Sequence, residues 1–287
     1  MINISDKTFD EERALYGSRG LIVENCSFDG PADGESALKE SNDIAVYNCY
    51  CNLRYPFWHI HNLRIRDTEM TPMCRAAVWY SDGIEIENSK LHGIKALREC
   101  YDINIHNCSI ISPEFGWSTE KITITDSTAE SEYFMLRSKD IRLENIRMKG
   151  KYSFQYIENA VFNNCSFDTK DAFWHSKNIT IRNSTIKGEY LAWYSDGLTL
   201  ENCRIIGTQP FCYCKNLRII NCEMIDADLC FEKSDVVADI VSRVVSIKNP
   251  RSGRIDVPVL GEIIMNDPAA QCEIYCGGEK FFGNYDQ

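Results

Sequence analysis

One short motif, repeated along the chain, limits what this sequence can fold into. The segments 21–25, 44–48, 84–88, 103–107, 141–145, 179–183, 198–202 and 217–221 all read apolar, variable, apolar, variable, asparagine. Take the final Asn, or the Asp that replaces it, as position zero. The anchors then fall at residues 25, 48, 67, 88, 107, 126, 145, 164, 183, 202 and 221. The first steps are 23, 19 and 21 residues, and every later step is 19. A fixed period of about 20 residues marks a repeat architecture, in which each unit buries its apolar face against the next.

The columns of the repeat define the unit. Positions −4 and −2 are apolar (Leu63/Ile65, Ile122/Ile124, Leu198/Leu200) and −3 and −1 mostly polar, the period-two signature of a strand with one buried face. Positions +1 and +3 (Cys108/Ile110, Cys165/Phe167, Cys222/Met224) predict a second short strand after a bend at the anchor. Positions +4 to +7 are turn-like, with Gly93, Gly150, Gly188 and Gly207 at +5. Positions −12 to −7 predict a third strand, closed by a tight turn such as Asp82-Gly83 or Asp196-Gly197. Three short strands and three turns in 19 residues make one coil of a parallel β-helix, with coils stacked about 4.8 Å apart. The all-β reading is therefore a solenoid of about eleven coils, roughly 50 Å long at that spacing.

The reading treats residues 1–287 as one β-helix domain. Residues 1–20 form an N-terminal cap, with a helix expected from the capping box at Thr8–Glu11 to Gly17. Residues 21–234 are coils, and residues 235–287 a non-repetitive C-terminal cap leaning toward strand. The anchor asparagines are expected to form a buried ladder, and the cysteines at +1 to act as small buried hydrophobes.

Composition narrows the function. The net charge is −11, which disfavours a nucleic-acid partner. No apolar run approaches the roughly 18 residues of a membrane span. The first residues, MINISDK, lack an apolar export segment, so the reading expects a cytoplasmic protein whose 14 cysteines are reduced. No cysteine spacing matches a zinc site, and no phosphate-binding or dinucleotide fingerprint is present, so neither metal nor cofactor is expected.

Several coils carry specific segments: LRYPFWH from Leu53, GIKALREC from Gly93, TKDAFWH from Thr169, GEYLAWYS from Gly188 and GTQPFCYC from Gly207. Together with the ladder they resemble an uncharacterised bacterial family, domain of unknown function 3737, within the pectin-lyase-like superfamily of right-handed parallel β-helices. The resemblance covers nearly the whole chain. It implies the fold and carries over no catalytic residue. It also implies that the third strand, which lines the polysaccharide groove in that superfamily, is where a ligand would lie.

That third strand carries the chemistry-bearing residues. Its −8 row includes Glu40, His59, Tyr80, Glu99, Tyr156, His175, Tyr194 and Tyr213, and its −12 row Tyr55, Lys95, Glu114, Tyr133, Tyr152, Asp171 and Tyr190. Positions −12, −10 and −8 are taken as outward. The −9 row (Lys39, Trp58, Trp79, Arg98, Trp117, Trp174, Trp193) is taken as inward, with Arg98 held between Trp79 and Trp117. Glu40 can orient His59 as a general base, and Lys95 and Glu114 are lateral neighbours. These four are the candidate catalytic residues. Arg54, Arg75, Glu99, Tyr133, Tyr152, Asp171, His175 and Tyr190 are candidates for binding substrate. The cations could neutralise the carboxylate of an acidic sugar. Glycoside hydrolysis is harder to support, since it needs two carboxylates about 5–9 Å apart, and no adjacent pair lies on this strand. Two readings stay open: a carbohydrate-binding or carbohydrate-active β-helix, lyase-like or hydrolase-like if an enzyme, and a non-catalytic scaffold, with an oligomer possible in either case.

Overall fold

The computed structural model describes residues 2–281. The chain is an all-β parallel solenoid of about fourteen turns with a repeat near 19 residues. The helical element among the described residues is one 3₁₀ turn at Pro72–Cys74. Two compact units are present, Met1–Met148 and Lys149–Gln287.

In the first unit the long strands are 2–5, 19–24, 42–47, 61–66, 82–87, 101–106, 120–125 and 139–144, each parallel to the next. The 19-residue period sets the register: Ile84 faces Ile103, Ile103 faces Ile122, and Ile122 faces Ile141. Like residues therefore stack on like, and the −4 and −2 columns form a dry core, with Leu63, Ile84, Ile103 and Ile122 almost fully buried. The second unit repeats this with long strands 158–163, 177–182, 196–201, 217–225, 235–240, 252–257 and 273–276. Gly188 shows how tightly its coils stack: a Cβ there would lie 1.8 Å from the Thr169 carbonyl oxygen.

Both ends differ from the sequence-based expectation. Residues 8–17 form no helix. Ile2–Ser5 pairs with the strand at Leu21–Glu24, and Thr8–Phe9 pairs with Ser27–Phe28, so this segment is another coil. Pairing with the next coil satisfies backbone groups that a lone two-turn helix would leave to solvent. At the other end the solenoid continues past Asn221. Asp235–Ile240 pairs with Ser252–Val257, 17 residues on, and that strand pairs with Glu273–Cys276. These coils were illegible as repeats because they lack the asparagine and change length.

The asparagine ladder exists, but on the surface. Asn48, Asn107 and Asn221 are exposed and sit at φ near +50°, in the left-handed region. Their side-chain amides donate to the anchor one coil back: Asn48 to Asn25 at 2.7 Å, Asn107 to Asn88 at 2.8 Å, and Asn221 to Asn202 at 2.7 Å. Left-handed backbone, which Asn tolerates better than other non-glycine residues, explains the anchor; burial does not.

The buried polar ladder is one residue further on. At +1 the amide of Cys26 donates to Cys49 Sγ (3.4 Å), that of Cys49 to Thr68 Oγ1 (3.2 Å), and that of Thr68 to Ser89 Oγ (3.1 Å). In the second unit the Cys165 amide meets Ser184 Oγ at 2.9 Å. A matching row at −7 links the Ile60 amide to Ser81 Oγ at 3.0 Å and the Cys214 amide to Ser234 Oγ at 2.8 Å. The small side chains at both bends thus accept amide protons that no strand partner takes. The +1 cysteines do this work as well as filling space.

The third segment is a strand only briefly, at Phe57–Trp58, Val78–Trp79 and Leu97–Arg98. Elsewhere it is a run of turns. The expected alternation fails: −10 points inward, with Phe57, Val78, Leu97, Phe154, Phe173 and Phe211 buried. The −9 residues Trp58, Trp79, Arg98, Trp117, Trp174 and Trp193 are half-exposed rather than inward. The cause is left-handed backbone at −8 (Glu40 φ 60°, His59 φ 54°, Tyr80 φ 49°, Glu99 φ 50°), which turns two successive side chains toward solvent.

Candidate functional site

Because −9 and −8 both face out, the third segment of the first unit presents a two-residue-wide strip. Along it the coils bring together groups far apart in sequence. His59 Nδ1 lies 2.9 Å from Glu40 Oε1. The His59 ring packs edge-on against Tyr80, centroids 5.4 Å apart. Tyr80 in turn lies beside Glu99, whose carboxylate is the main reason that the phenol is raised above its usual value of 10.0. Glu99 lies 3.2 Å from Arg98, Arg98 3.8 Å from Glu114, and Glu114 3.4 Å from Lys95. One chain of polar and ring contacts therefore runs from Glu40 to Lys95 across adjoining coils.

The −9 row forms the second lane. Trp58 and Trp79 stack at 5.2 Å with planes 14° apart, and Lys39 Nζ sits 3.8 Å over the Trp58 ring. Arg98 lies over Trp117 at 5.3 Å. Its partners are Trp117, Glu99 and Glu114 rather than an indole on either side. Tyr133 packs edge-on to Trp117 at 6.0 Å. Arg54 is held by Asp33 at 3.1 Å and approached by Glu35 at 3.7 Å. Arg75 is exposed and makes no ion pair among the described residues. Its carbonyl receives the Lys95 amide at 3.0 Å, and a Cβ on Gly93 would come within 2.5 Å of that same oxygen. Gly93 is thus required for the close approach that places Lys95.

The second unit carries a different surface. Tyr156, His175, Tyr194 and Tyr213 stack in one column, with centroids 4.9, 5.0 and 4.8 Å apart and planes within 9°. Trp174 and Trp193 stack beside them at 5.4 Å, and Tyr190 packs edge-on to Trp193 at 5.5 Å. Tyr152 carries Lys151 over its ring at 5.3 Å. Asp171 is raised above the usual carboxylate value, chiefly by burial. A sugar stacks on an aromatic face, and in this column neighbouring rings already cover one another's faces. The column is built first to shield the coils.

The expected pairs Glu40–His59 and Lys95–Glu114 are thus in contact, while Asp171, His175, Tyr152 and Tyr190 belong to the second unit's aromatic surface. Sequence reasoning passed over Tyr80 and Arg98 as site members. Tyr80 was legible from its place between His59 and Glu99 in one row; Arg98 was hidden by the assumption that −9 points inward. The outward face of the long strands also carries two adjoining hollows in the first unit, of about 440 and 370 Å³, which share Arg64, Glu85 and Asn104. Their walls are ion pairs, Arg64–Glu85 at 3.0 Å and Arg66–Glu87 at 2.9 Å.

No curated protein matches this chain. Solved structures do. PfbA, a surface adhesin of Streptococcus pneumoniae, is 10% identical over 77% of this chain and 72% of its own, with a TM-score of 0.41. The A-module of the Azotobacter vinelandii mannuronan C-5 epimerase AlgE6 is 11% identical over 91% of this chain and 90% of its own, with a TM-score of 0.34. At these identities the likeness concerns the path of the chain and not its chemistry. A family model described as "Protein of unknown function (DUF3737)" matches residues 2–275, almost all of the coils described above, and the chain belongs to that family.

Proposed function

We propose that the third-segment strip of the first unit binds an oligosaccharide. The observation that carries this reading is the unbroken contact chain Glu40–His59–Tyr80–Glu99–Arg98–Glu114–Lys95, which sets acid, base and cation side by side on a half-exposed aromatic floor. Such a mixture of donors, acceptors and aromatic surface suits a polyhydroxylated ligand. The resemblance to pectin-lyase-like helices points to the same segment. If the ligand is also turned over, His59 is the base, held through Nδ1 by Glu40 and with Nε2 free to take a proton.

A scaffold role is the second reading. The self-covered ring column of the second unit favours it, since that surface has satisfied its own faces. A glycan-binding screen on the full chain, repeated with His59→Ala and Glu99→Gln, separates the two. Loss of one charged hydrogen bond should weaken binding about tenfold or more, with melting temperature nearly unchanged because exposed substitutions cost little stability. No glycan bound by the wild-type chain, or equal binding by both variants, sinks the oligosaccharide reading.

A further inference from the structure

The tryptophans of the −9 row are not equivalent. Trp117, Trp174 and Trp193 each donate the indole N–H to the carbonyl sixteen residues on, at 2.8, 2.6 and 2.9 Å. The indole N–H groups of Trp58 and Trp79 are buried and find no acceptor. Arg54 Nε is a third buried donor without an acceptor. Its closest carboxylate oxygen, on Glu35, is 3.7 Å away, beyond hydrogen-bond reach. All three donors belong to the adjoining coils around Tyr55, whose ring centroid is 6.1 Å from each indole.

The cause is local. The coil from Asp67 to Asn88 has 21 residues, and takes up the extra length at the 3₁₀ turn Pro72–Cys74 and at Arg75, φ 54°. The carbonyl sixteen residues past Trp58 is that of Cys74, and it receives the Tyr55 amide at 3.0 Å instead. Buried donors are almost always paired, so three neighbouring ones without partners call for an acceptor. A hydroxyl would bring its own proton to be placed, and the three groups offer only protons. An oxygen that accepts and does not donate fits them, a carbonyl or an oxyanion, and the positive charge of the Arg54 guanidinium favours the oxyanion. Two nearby cations, Lys39 over Trp58 and exposed Arg75, make no ion pair among the described residues, whereas Glu40 is engaged by His59.

We propose that Trp58 Nε1, Trp79 Nε1 and Arg54 Nε, on the coils around Tyr55, form a binding site for an oxyanion, a carboxylate or phosphate either free or carried on a sugar. The inference rests on the third-segment face being a ligand surface and adds the sign of the charge that it reads. Tyr55 is half-buried and packs against both indoles.

The chain has five tryptophans, so its ¹H–¹⁵N spectrum has five indole resonances. Trp58→Phe and Trp79→Phe keep the stacked rings, remove the N–H groups, and assign two of them. Inorganic phosphate, acetate, glucuronate and glucose are titrated in turn. The Trp58 and Trp79 resonances should shift with oxyanions and not with glucose, while those of Trp117, Trp174 and Trp193 stay fixed and report an intact fold. Shifts with glucuronate alone identify a sugar-borne carboxylate; shifts with phosphate or acetate as well show that the anion itself is read. Each Phe variant should bind glucuronate about tenfold or more weakly. Shifts with glucose alone would leave the saccharide reading standing and overturn the oxyanion site. No shift of either resonance with any probe, or unchanged glucuronate affinity in both variants, also overturns it.

Discussion

At the scale of single residues, backbone conformation decides more than burial. The anchor asparagines were legible as a row, and their role was misread, because a repeated polar residue suggests a buried ladder. Exposed Asn107, at φ 50°, shows the actual constraint. Replacing it with glycine should be nearly neutral, since glycine enters this region freely. Asn107→Ala should cost about 1–2 kcal/mol, the penalty of left-handed backbone for an L-residue. Equal melting temperatures for the two variants would show that the amide-to-amide bond to Asn88, and not φ, holds the anchor in place.

Single coils depend on small side chains that accept amide protons. Ser81 is buried, takes the Ile60 amide at 3.0 Å, and donates to the Trp79 carbonyl at 3.0 Å. Ser81→Ala strands that amide and should cost about 1–3 kcal/mol. Ser81→Cys should cost less, because cysteine fills equivalent positions such as Cys100 and Cys214. Chemical denaturation of both variants measures the difference, and an alanine variant as stable as wild type would remove the −7 row from the account of the fold. The third segment was the element hardest to read. Its apolar and polar residues do not show which positions take φ > 0, and one left-handed residue moves its neighbours to the other face. For that reason −9 was placed inside and −10 outside, and Arg98 was lost from the site.

For the molecule as a whole, the buried thiols set a pH limit. Thirteen of the 14 cysteines are buried, and Cys276 is half-buried. Burial pushes Cys49 and Cys108 up to about 11 and Cys74, Cys100, Cys214 and Cys272 to about 12, from an ordinary 9.0. In native protein at neutral pH, Cys276 should react with a thiol reagent first, and the buried thiols only on unfolding. A folded state that holds these protons more tightly than the unfolded chain binds more of them above pH 9. Stability is therefore full below about pH 9 and falls as pH rises toward 11–12. Denaturant midpoints that stay level from pH 8 to pH 10.5 would contradict this assignment.

The sequence by itself determined the coil. A period of 19 with apolar residues two apart admits a stacked parallel solenoid and little else, since identical faces meet at every step. Its reach ended where the period did, at the first coil and beyond Asn221, where backbone pairing continues without the repeated side chains. The tertiary structure alone decided which candidate residues meet. Glu40 meets His59, and Tyr80 meets Glu99, only once the coils are stacked in register. The Trp58 indole N–H is left without a partner because the 21-residue coil gives its Cys74 carbonyl to the Tyr55 amide. Both depend on the φ angles of individual residues, which a pattern of residue types does not encode.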